Sequence, residues 1–277
     1  MTATRSASIS GFPVYMQTVT APDNVSGDIL GSAPLIYMPV DPSDTGERTI
    51  AAFRGLCTER GISIPTFHLV AVGVEDWNAT LCPWDAPKVF AKGDDFGHGA
   101  AGFLNVLTGS VVPAVETEFL SADAPSSPSD ASSVVPALPV ASASSTISAP
   151  SVAPDTPPVR YLAGYSLAGL FTLWASFNTD AFQKIALVSG SFWYPNLVDY
   201  AIGHAPDPAV THAYLSLGDR EERTPNPQIQ HVRKNAELLT EELERKGLAT
   251  TFALNRGNHF QNEPTRIAKA LLWMLTE

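Results

Sequence analysis

Charged residues are scarce in this chain, and the positively charged ones are the scarcer. Only 16% of the 277 residues are Asp, Glu, Lys or Arg, and 17 Lys and Arg stand against 28 Asp and Glu, which gives a formal net charge of −11. Binding to nucleic acid requires clustered Lys and Arg that neutralise phosphates. An acidic surface is also repelled by anionic membrane surfaces. The composition therefore predicts no nucleic-acid partner and no membrane partner.

Cysteines and long apolar runs are also lacking. The two cysteines, Cys57 and Cys82, cannot build the disulfide framework of a secreted protein, so we expect two reduced thiols. No apolar run is long enough to cross a bilayer. Residues 1–17 have neither a basic flank before an apolar stretch nor a cleavage site of small residues. These absences predict a cytoplasmic protein.

One long segment has no aromatic residue and no Lys or Arg. Residues 121–158 consist almost wholly of Ser, Ala, Pro, Val and Asp, and such a composition buries too little apolar surface to offset the entropy of ordering. We predict a disordered insertion. The alternative is a lid over the active site, because the segment leads directly into the strand before a candidate nucleophile. The whole chain, 44% hydrophobic, predicts a single domain over residues 1–277.

Apolar strands alternate with helical patterns on both sides of that segment. Continuous apolar runs predict buried strands, and apolar residues three to four positions apart predict helices. Their alternation predicts an α/β fold with a mainly parallel central sheet and helices on both faces. The predicted strands are 34–40, 66–74, 159–163, 184–189, 214–217 and 250–254, and the predicted helices are 47–60, 98–120 with a break at Pro113, 167–175, 228–246 and 265–275.

A serine lies between small residues where a predicted strand meets a predicted helix. The segment from Gly164 to Gly169 has the sequence GYSLAG and places Ser166 at this junction. That pattern is typical of a nucleophile elbow, a strained turn that lifts the serine hydroxyl clear of the sheet. The usual second glycine comes two residues after the serine, where this chain has Ala168. The alternative is a glycine-rich turn that only lets a helix pack on the sheet.

A serine nucleophile needs a base, normally a histidine that a carboxylate orients. His259 follows the last predicted strand, at the carboxyl edge of the sheet, where the active groups of parallel sheets collect. The loop after strand 214–217 offers Glu221, three residues after a glycine, and Asp219, closer to the strand end. Either could be the acid, and the site could also lack one. The order serine, acid, histidine is that of the α/β-hydrolase fold.

The oxyanion that forms during attack needs backbone N–H donors. In α/β-hydrolases one donor is the residue after the nucleophile, here Leu167, and the other lies in a loop after an early strand. We predict that the second donor is Trp77 or Asn78, in the loop that follows strand 66–74. Trp77 and Trp193 are also predicted to bind substrate, as aromatic lining of the pocket.

Five landmarks in order resemble the esterase family that includes esterase D and the enterochelin (siderophore) esterases, within the α/β-hydrolase superfamily. The resemblance runs from about Leu35 to the carboxyl terminus, outside residues 121–158. It implies hydrolysis of an ester with Ser166 as nucleophile and His259 as base. The landmarks are Asp76-Trp77-Asn78 with Pro83-Trp84, the segment from Gly164 to Gly169, Ser189-Gly190-Ser191-Phe192-Trp193, Leu217-Gly218-Asp219-Arg220-Glu221-Glu222 and Gly257-Asn258-His259-Phe260.

The chain departs from this family in one loop. Siderophore esterases tend to have an arginine where this chain has Trp77 and Asn78, and that arginine would help to bind an anionic catecholate. Its absence argues against a siderophore substrate. Some members of the family work with a serine and a histidine alone, which leaves the choice among Glu221, Asp219 and no acid open.

We therefore predict a serine hydrolase that cleaves a small-molecule carboxylic ester through an acyl-enzyme, with no cofactor and no metal ion. Ser166 attacks, His259 is the base and Glu221 orients the base. An acyltransferase or a thioesterase would use the same three residues. A non-catalytic binding or scaffold protein on the same fold is the alternative from a different class.

Overall fold

A computed structural model describes residues 4–21, 32–119 and 158–277 of the chain. The predicted insertion at 121–158 lies outside the described residues, except for Pro158. The strands are β1 Arg5–Ile9, β2 Phe12–Val19, β3 Leu35–Val40, β4 Phe67–Gly73, β5 Arg160–Tyr165, β6 Lys184–Val188, β7 His212–Gly218 and β8 Ala249–Asn255. The α-helices are α1 Glu47–Arg60, α2 Trp77–Thr80, α3 Ala100–Val106, α4 Val112–Ala114, α5 Leu167–Ala175, α6 Leu197–Gly203, α7 Val232–Arg245 and α8 Glu263–Thr276.

The eight strands form one mixed sheet in the order β1-β2-β4-β3-β5-β6-β7-β8. The five pairings from β4 to β8 are parallel, which confirms the mainly parallel prediction. The pairings of β1 with β2 and of β2 with β4 are antiparallel, and this edge was not predicted. β1 and β2 form a hairpin whose turn residues, Ser10 and Gly11, both have positive φ, at 51° and 88°, a conformation that suits a tight hairpin turn.

Helices cover both faces of the sheet because alternate strand residues point to opposite sides. In β3, Leu35 and Tyr37 join the core beneath α3, α5, α6 and α7. Ile36 and Met38 join the core beneath α1 and α8. All four side chains are buried, so the sheet is shielded from water on both sides, as its continuous apolar strands predicted.

Pro113 does not break the helical segment that was predicted to end there. The backbone stays helical from α3 through α4, with wider π-helical turns at Leu107–Val111 and Val115–Phe119. Pro113 lies between these two π-helical turns, where the regular α-helical hydrogen bonds are already interrupted, so a residue without an N–H is tolerated. The prediction of a break at this proline was therefore wrong.

The parallel strands bring the predicted site residues to one edge of the sheet. Ser166 follows β5, Glu221 follows β7 and His259 follows β8, and these strands share one direction. Cys57 and Cys82 are both free and buried. In the described ranges, no helix combines the length and apolar character needed to cross a membrane.

Candidate active site

Ser166 occupies a sharp turn between β5 and α5. Its backbone has φ 58° and ψ −120°, and a positive φ in a residue with a side chain costs on the order of 1–3 kcal/mol and clusters at active sites. The Ser166 N–H donates to the Val188 carbonyl at 3.1 Å, and the Ser191 N–H donates to the Ser166 carbonyl at 3.0 Å. The end of β6 and the loop after it therefore hold the strained turn in place.

Two glycines of this turn have no room for a side chain. A Cβ atom on Gly164 would lie 2.1 Å from the Ala168 carbonyl oxygen, and one on Gly169 would lie 2.9 Å from the Gly190 Cα. Ala168 itself is fully buried. The close approach that the elbow pattern provides through its second glycine is thus made one residue later, by Gly169, and the methyl group of Ala168 fits where the usual glycine stands.

His259 lies between β8 and α8 and contacts Ser166. Its Nε2 is 3.0 Å from the Ser166 Oγ, and its Nδ1 is 2.8 Å from the Glu221 Oε2. Because a carboxylate only accepts hydrogen bonds, Nδ1 carries the proton in the neutral ring and Nε2 is left to accept the serine hydroxyl. Tyr165 contacts the loop that carries His259, since its hydroxyl donates to the His259 carbonyl and the two rings lie 5.4 Å apart.

Glu221, rather than Asp219, is the carboxylate at this histidine. The Glu221 side chain is only 4% exposed, and its Oε1 accepts a hydrogen bond from the Gly218 N–H at 2.6 Å. Asp219 is half exposed and accepts from the Gly257 N–H at 2.8 Å, which ties the loop after β7 to the loop after β8. Of the alternatives left open by the sequence, the geometry brings Glu221 to the histidine and gives Asp219 a turn-stabilising position.

The environment of Glu221 favours its ionised form. Burial raises the pKa of this carboxyl, but hydrogen bonds and charge from His259, with further hydrogen bonds from Gly218 and Ser189, outweigh burial. The pKa therefore lies below its ordinary value. A carboxylate held in this state can stabilise a positive charge on the adjacent imidazole.

Arg266 completes the site and was missed in the sequence. This α8 residue is 1% exposed, and its Nη1 donates to the Glu221 Oε1 at 2.7 Å and to the Ser189 Oγ at 2.8 Å. Its Nη2 donates to the Asn258 carbonyl at 2.7 Å. One signal was available, because Arg266 stands four and eight residues before Ala270 and Met274 on the buried face of a helix, where a charge requires a partner.

A cavity of about 310 Å³ opens over Ser166 and His259. Trp193 lines it, as predicted, together with two phenylalanines that are unusually exposed, Phe90 at 55% and Phe260 at 85%. Arg220 and Arg223 are also in the lining. The lining therefore combines aromatic and cationic side chains, and the cavity is large enough for a small ligand. The full lining is Phe90, Ser166, Trp193, Arg220, Glu221, Arg223, Thr224, Ile229, Val232, Asn258, His259 and Phe260.

The residues predicted as oxyanion donors are only partly assembled. Leu167 is the first residue of α5, so its N–H has no partner within the helix. Trp77 and Asn78 begin α2, after β4, and the Ser166 cavity includes neither of them. Trp77 lines a neighbouring cavity of about 430 Å³ with Tyr165, and the Asn78 side chain donates to the Asp94 carbonyl at 3.0 Å.

Strand order brings a second candidate loop beside the elbow. β3, not β4, pairs with the elbow strand β5, so loop 41–46, between β3 and α1, follows the strand next to the elbow strand. In α/β-hydrolases the second oxyanion donor comes from the loop after the third strand. Loop 41–46 lines the same cavity as Trp77 and Tyr165. Trp77 or Asn78 as the second donor stays a prediction, and loop 41–46 is a further candidate.

Within 4–21, 32–119 and 158–277, no group of three or more His, Cys, Asp or Glu side chains is arranged to hold a metal ion. The titratable side chains nearest Ser166 are joined to one another instead, in the chain of hydrogen bonds from Glu221 to His259 to the serine.

Comparison with known proteins supports the fold. No protein-family model matches the chain. A curated relative, the uncharacterized protein YbbA of Bacillus subtilis (strain 168), is 23% identical over 233 residues, which cover 83% of this chain and 78% of that protein. This relative carries no described activity.

Solved structures of hydrolases are similar to the chain over nearly its whole length. A serine hydrolase from Shewanella oneidensis that resembles IroE superposes with a TM-score of 0.69 at 12% identity, covering 99% of this chain and 80% of that one. The siderophore hydrolase EstA from Aspergillus nidulans gives a TM-score of 0.62 at 19% identity, covering 98% and 93%. The enterobactin esterase FES from Shigella flexneri gives 0.55 at 14% identity, covering 99% and 59%. The resemblance to α/β-hydrolase esterases is therefore confirmed at the level of the fold.

Proposed function

We propose that this protein is a serine hydrolase that cleaves a carboxylic ester through an acyl-enzyme. The observation that carries the proposal is the chain of hydrogen bonds from Glu221 to His259 to Ser166, at 2.8 and 3.0 Å. A histidine that accepts the serine hydroxyl and donates to a buried carboxylate is the arrangement that activates a serine for attack. The strained backbone of Ser166 adds support, because strain of this kind is kept where it serves chemistry.

In the first half of the reaction, the Ser166 Oγ bonds to the ester carbonyl carbon while its proton passes to the His259 Nε2. The carboxylate of Glu221 stabilises the imidazolium that results. The tetrahedral intermediate collapses as the carbon–oxygen bond to the alcohol breaks, and the alcohol leaves with the proton from His259. The acyl group is then bound to Ser166.

In the second half, His259 removes a proton from water, and the water oxygen bonds to the acyl carbon. Collapse of this second intermediate breaks the bond to the Ser166 Oγ, which regains its proton from His259. The carboxylic acid is released. The same base thus serves both halves, and the balance of protons needs no further group.

The negative oxygen of each intermediate would lie against the N–H of Leu167 at the start of α5. We propose that loop 41–46 supplies the second donor, in place of Trp77 or Asn78. Loss of one such donor typically costs about 3–4 kcal/mol of transition-state stabilisation.

The cavity lining favours an ester that carries a negative charge next to an apolar or aromatic group. On a chain of net charge −11, two arginines line the space above the nucleophile. Arg220 is already engaged by Gln261 at 3.0 Å, whereas Glu222, beside Arg223, pairs with Arg233 at 3.6 Å. Among the described residues that line the cavity, Arg223 is thus the cation that remains for a ligand, and guanidinium groups bind carboxylates and similar planar anions well. These arginines lie on a different loop from the one in which siderophore esterases tend to have theirs.

Replacement of Ser166 by Ala tests the proposed reaction. We expect turnover of p-nitrophenyl esters to fall to the uncatalysed rate while the thermal unfolding midpoint stays near that of the wild type. Retained turnover in purified Ser166→Ala protein would refute Ser166 as the nucleophile. A chain that serves only as a binding or scaffold protein would show no turnover in either form, and an acyltransferase would turn over faster when a second alcohol is added.

A further inference from the structure

A guanidinium group is buried between the two loops that carry the acid and the base. The loop after β7 contributes Glu221, and the loop after β8 contributes Asn258, the residue before His259. Arg266 donates to both, at 2.7 Å to the Glu221 Oε1 and at 2.7 Å to the Asn258 carbonyl. A third hydrogen bond, at 2.8 Å, reaches the Ser189 Oγ in the loop after β6. One side chain of α8 therefore connects three loops at the carboxyl edge of the sheet.

The backbone around this group leaves space for it. A Cβ atom on Gly218 would lie 2.5 Å from the Arg266 Nη2, and one on Gly257 would lie 3.3 Å from the same atom. Gly257 also has φ 116°, a conformation that suits glycine. Both glycines lie in the loops that carry the acid and the base, so these loops are shaped around the guanidinium.

Burying a charge here is expensive, which raises the question of what the arginine does. A buried ion pair is often no more stabilising than apolar residues of the same volume, and the Arg266 Nε has no hydrogen-bond partner among the described residues. Stability alone is therefore a weak reason to place an arginine at this point of α8. Its placement fits a role in the chemistry of the adjacent carboxylate better.

We propose that Arg266 is a positioning residue that acts through Glu221. The two carboxylate oxygens have separate tasks: Oε1 is held by Arg266 and by the Gly218 N–H, which leaves Oε2 directed at the His259 Nδ1. The hydrogen bond from the guanidinium stops the carboxylate from rotating. Its bond to the Asn258 carbonyl fixes the backbone that carries the histidine, so the acid and the base are located by the same group. This inference rests on the proposed function.

Kinetics of variants can separate this role from a purely structural one. Arg266 is not among the residues that line the Ser166 cavity, so its loss should reduce kcat and leave KM nearly unchanged. We expect Arg266→Gln to lower kcat about 10- to 100-fold, as displacement of a catalytic group by about 1 Å does. Arg266→Lys keeps the charge on a single nitrogen that cannot bond to all three acceptors, and we expect it to retain more activity than Arg266→Gln and less than the wild type.

A double-mutant cycle with Glu221→Gln gives the decisive readout. If Arg266 acts through Glu221, adding Arg266→Gln to Glu221→Gln should lower kcat by no more than about threefold further, since coupled residues are not additive. Arg160→Gln is the matched control, because Arg160 forms a partly buried two-point ion pair with Glu116 at the amino end of β5, the end opposite to Ser166. We expect it to lower the unfolding midpoint without changing kcat.

Three results would overturn the proposal. They are a folded Arg266→Gln protein with kcat within about twofold of the wild type, an equal loss of kcat in both backgrounds of the cycle, and a change confined to KM. If Arg266→Gln fails to fold, Arg266→Lys in the same cycle decides, and an unchanged kcat there refutes the role. Failure of the proposed function itself is distinguishable, because the wild type would then show no ester turnover, or Ser166→Ala would keep it.

Discussion

Replacing Glu221 by Gln should remove most ester turnover, whereas replacing Asp219 by Asn should not. The two acids are two residues apart in one loop, and only Glu221 contacts His259. Gln has nearly the volume of Glu, but it is neutral and presents an amide that can donate to Nδ1. That contact would favour the histidine tautomer with its proton on Nε2, which cannot accept the proton of Ser166.

The magnitude follows from the contacts that are lost. An acid-to-amide change in a serine, histidine and acid triad costs about 10⁴-fold in kcat, and we expect a loss on the order of 10³- to 10⁴-fold here. Stability should fall as well, because Glu221→Gln leaves the buried Arg266 without its charge partner at 2.7 Å, and breaking a buried pair costs about 3–5 kcal/mol. In Asp219→Asn the half-exposed side chain keeps an oxygen that can accept from the Gly257 N–H, so the loss of stability should be at most about 1 kcal/mol.

The assay compares kcat of both variants on a p-nitrophenyl ester, with the folded fraction of each measured beforehand by circular dichroism. At temperatures below the unfolding midpoint of Glu221→Gln the protein is folded, so its loss of ester turnover must be a loss of kcat. A Glu221→Gln protein that keeps more than about a tenth of its activity would refute the assignment of the acid. An equal loss in Asp219→Asn would refute it too.

Three further predictions concern pH, packing and specificity. The pKa of Glu221 is lower in the folded state, so its ionisation contributes stability above its unfolded pKa of about 4.3, and that contribution is lost as pH falls through the folded pKa. The thermal unfolding midpoint should therefore drop more steeply below about pH 4.3 in the wild type than in Glu221→Gln. Parallel curves of midpoint against pH would contradict this prediction. Gly164→Ala should destabilise by more than about 2 kcal/mol, since the new Cβ would meet the Ala168 carbonyl at 2.1 Å. Gly102→Ala, within α3, meets nothing within 4 Å and should be neutral or stabilising by up to about 1 kcal/mol in the same thermal denaturation. Arg223→Ala should lower kcat/KM about 5- to 50-fold for the anionic p-nitrophenyl monoester of succinate, as loss of one charge-assisted hydrogen bond implies. It should change kcat/KM little for the neutral p-nitrophenyl butyrate. An equal effect on both esters would argue against anion binding by Arg223.

Much of the fold could be predicted because its strands are apolar and because local sequence patterns mark where its strands and helices begin and end. Every strand that was predicted lies within two residues of its observed bounds, and helices α1 and α5 have the predicted limits. Such strands are buried on both faces, so their composition alone marks them. The hairpin of β1 and β2 lies at the sheet edge and was missed; β1, with the sequence RSASI, is short and has few apolar residues.

The order of strands could not be predicted, and it affected the site. β3 and β4 follow each other in the chain, yet β3 is the one inserted between β4 and β5. This order places the loop after β3, rather than the loop after β4, beside the elbow strand β5. Adjacency in a parallel sheet depends on long-range pairing, which leaves no local pattern in the sequence.

Ser166, Glu221 and His259 could be placed together because each follows a strand with a shared direction. Arg266 could not, because its partners in Glu221 and Asn258 stand 45 and 8 residues away and meet it only in the folded chain. Contacts between residues that meet only at the edge of the folded sheet therefore could not be predicted from the sequence.

The location of a covalent label tests most directly whether Ser166 is the activated nucleophile. A fluorophosphonate probe reacts with a serine only where a base has activated it, and peptide mass spectrometry identifies the modified residue. We predict stoichiometric labelling of Ser166 in the folded wild-type protein and none in Ser166→Ala or His259→Ala. Folded protein that stays unlabelled, or that is labelled elsewhere, would contradict it.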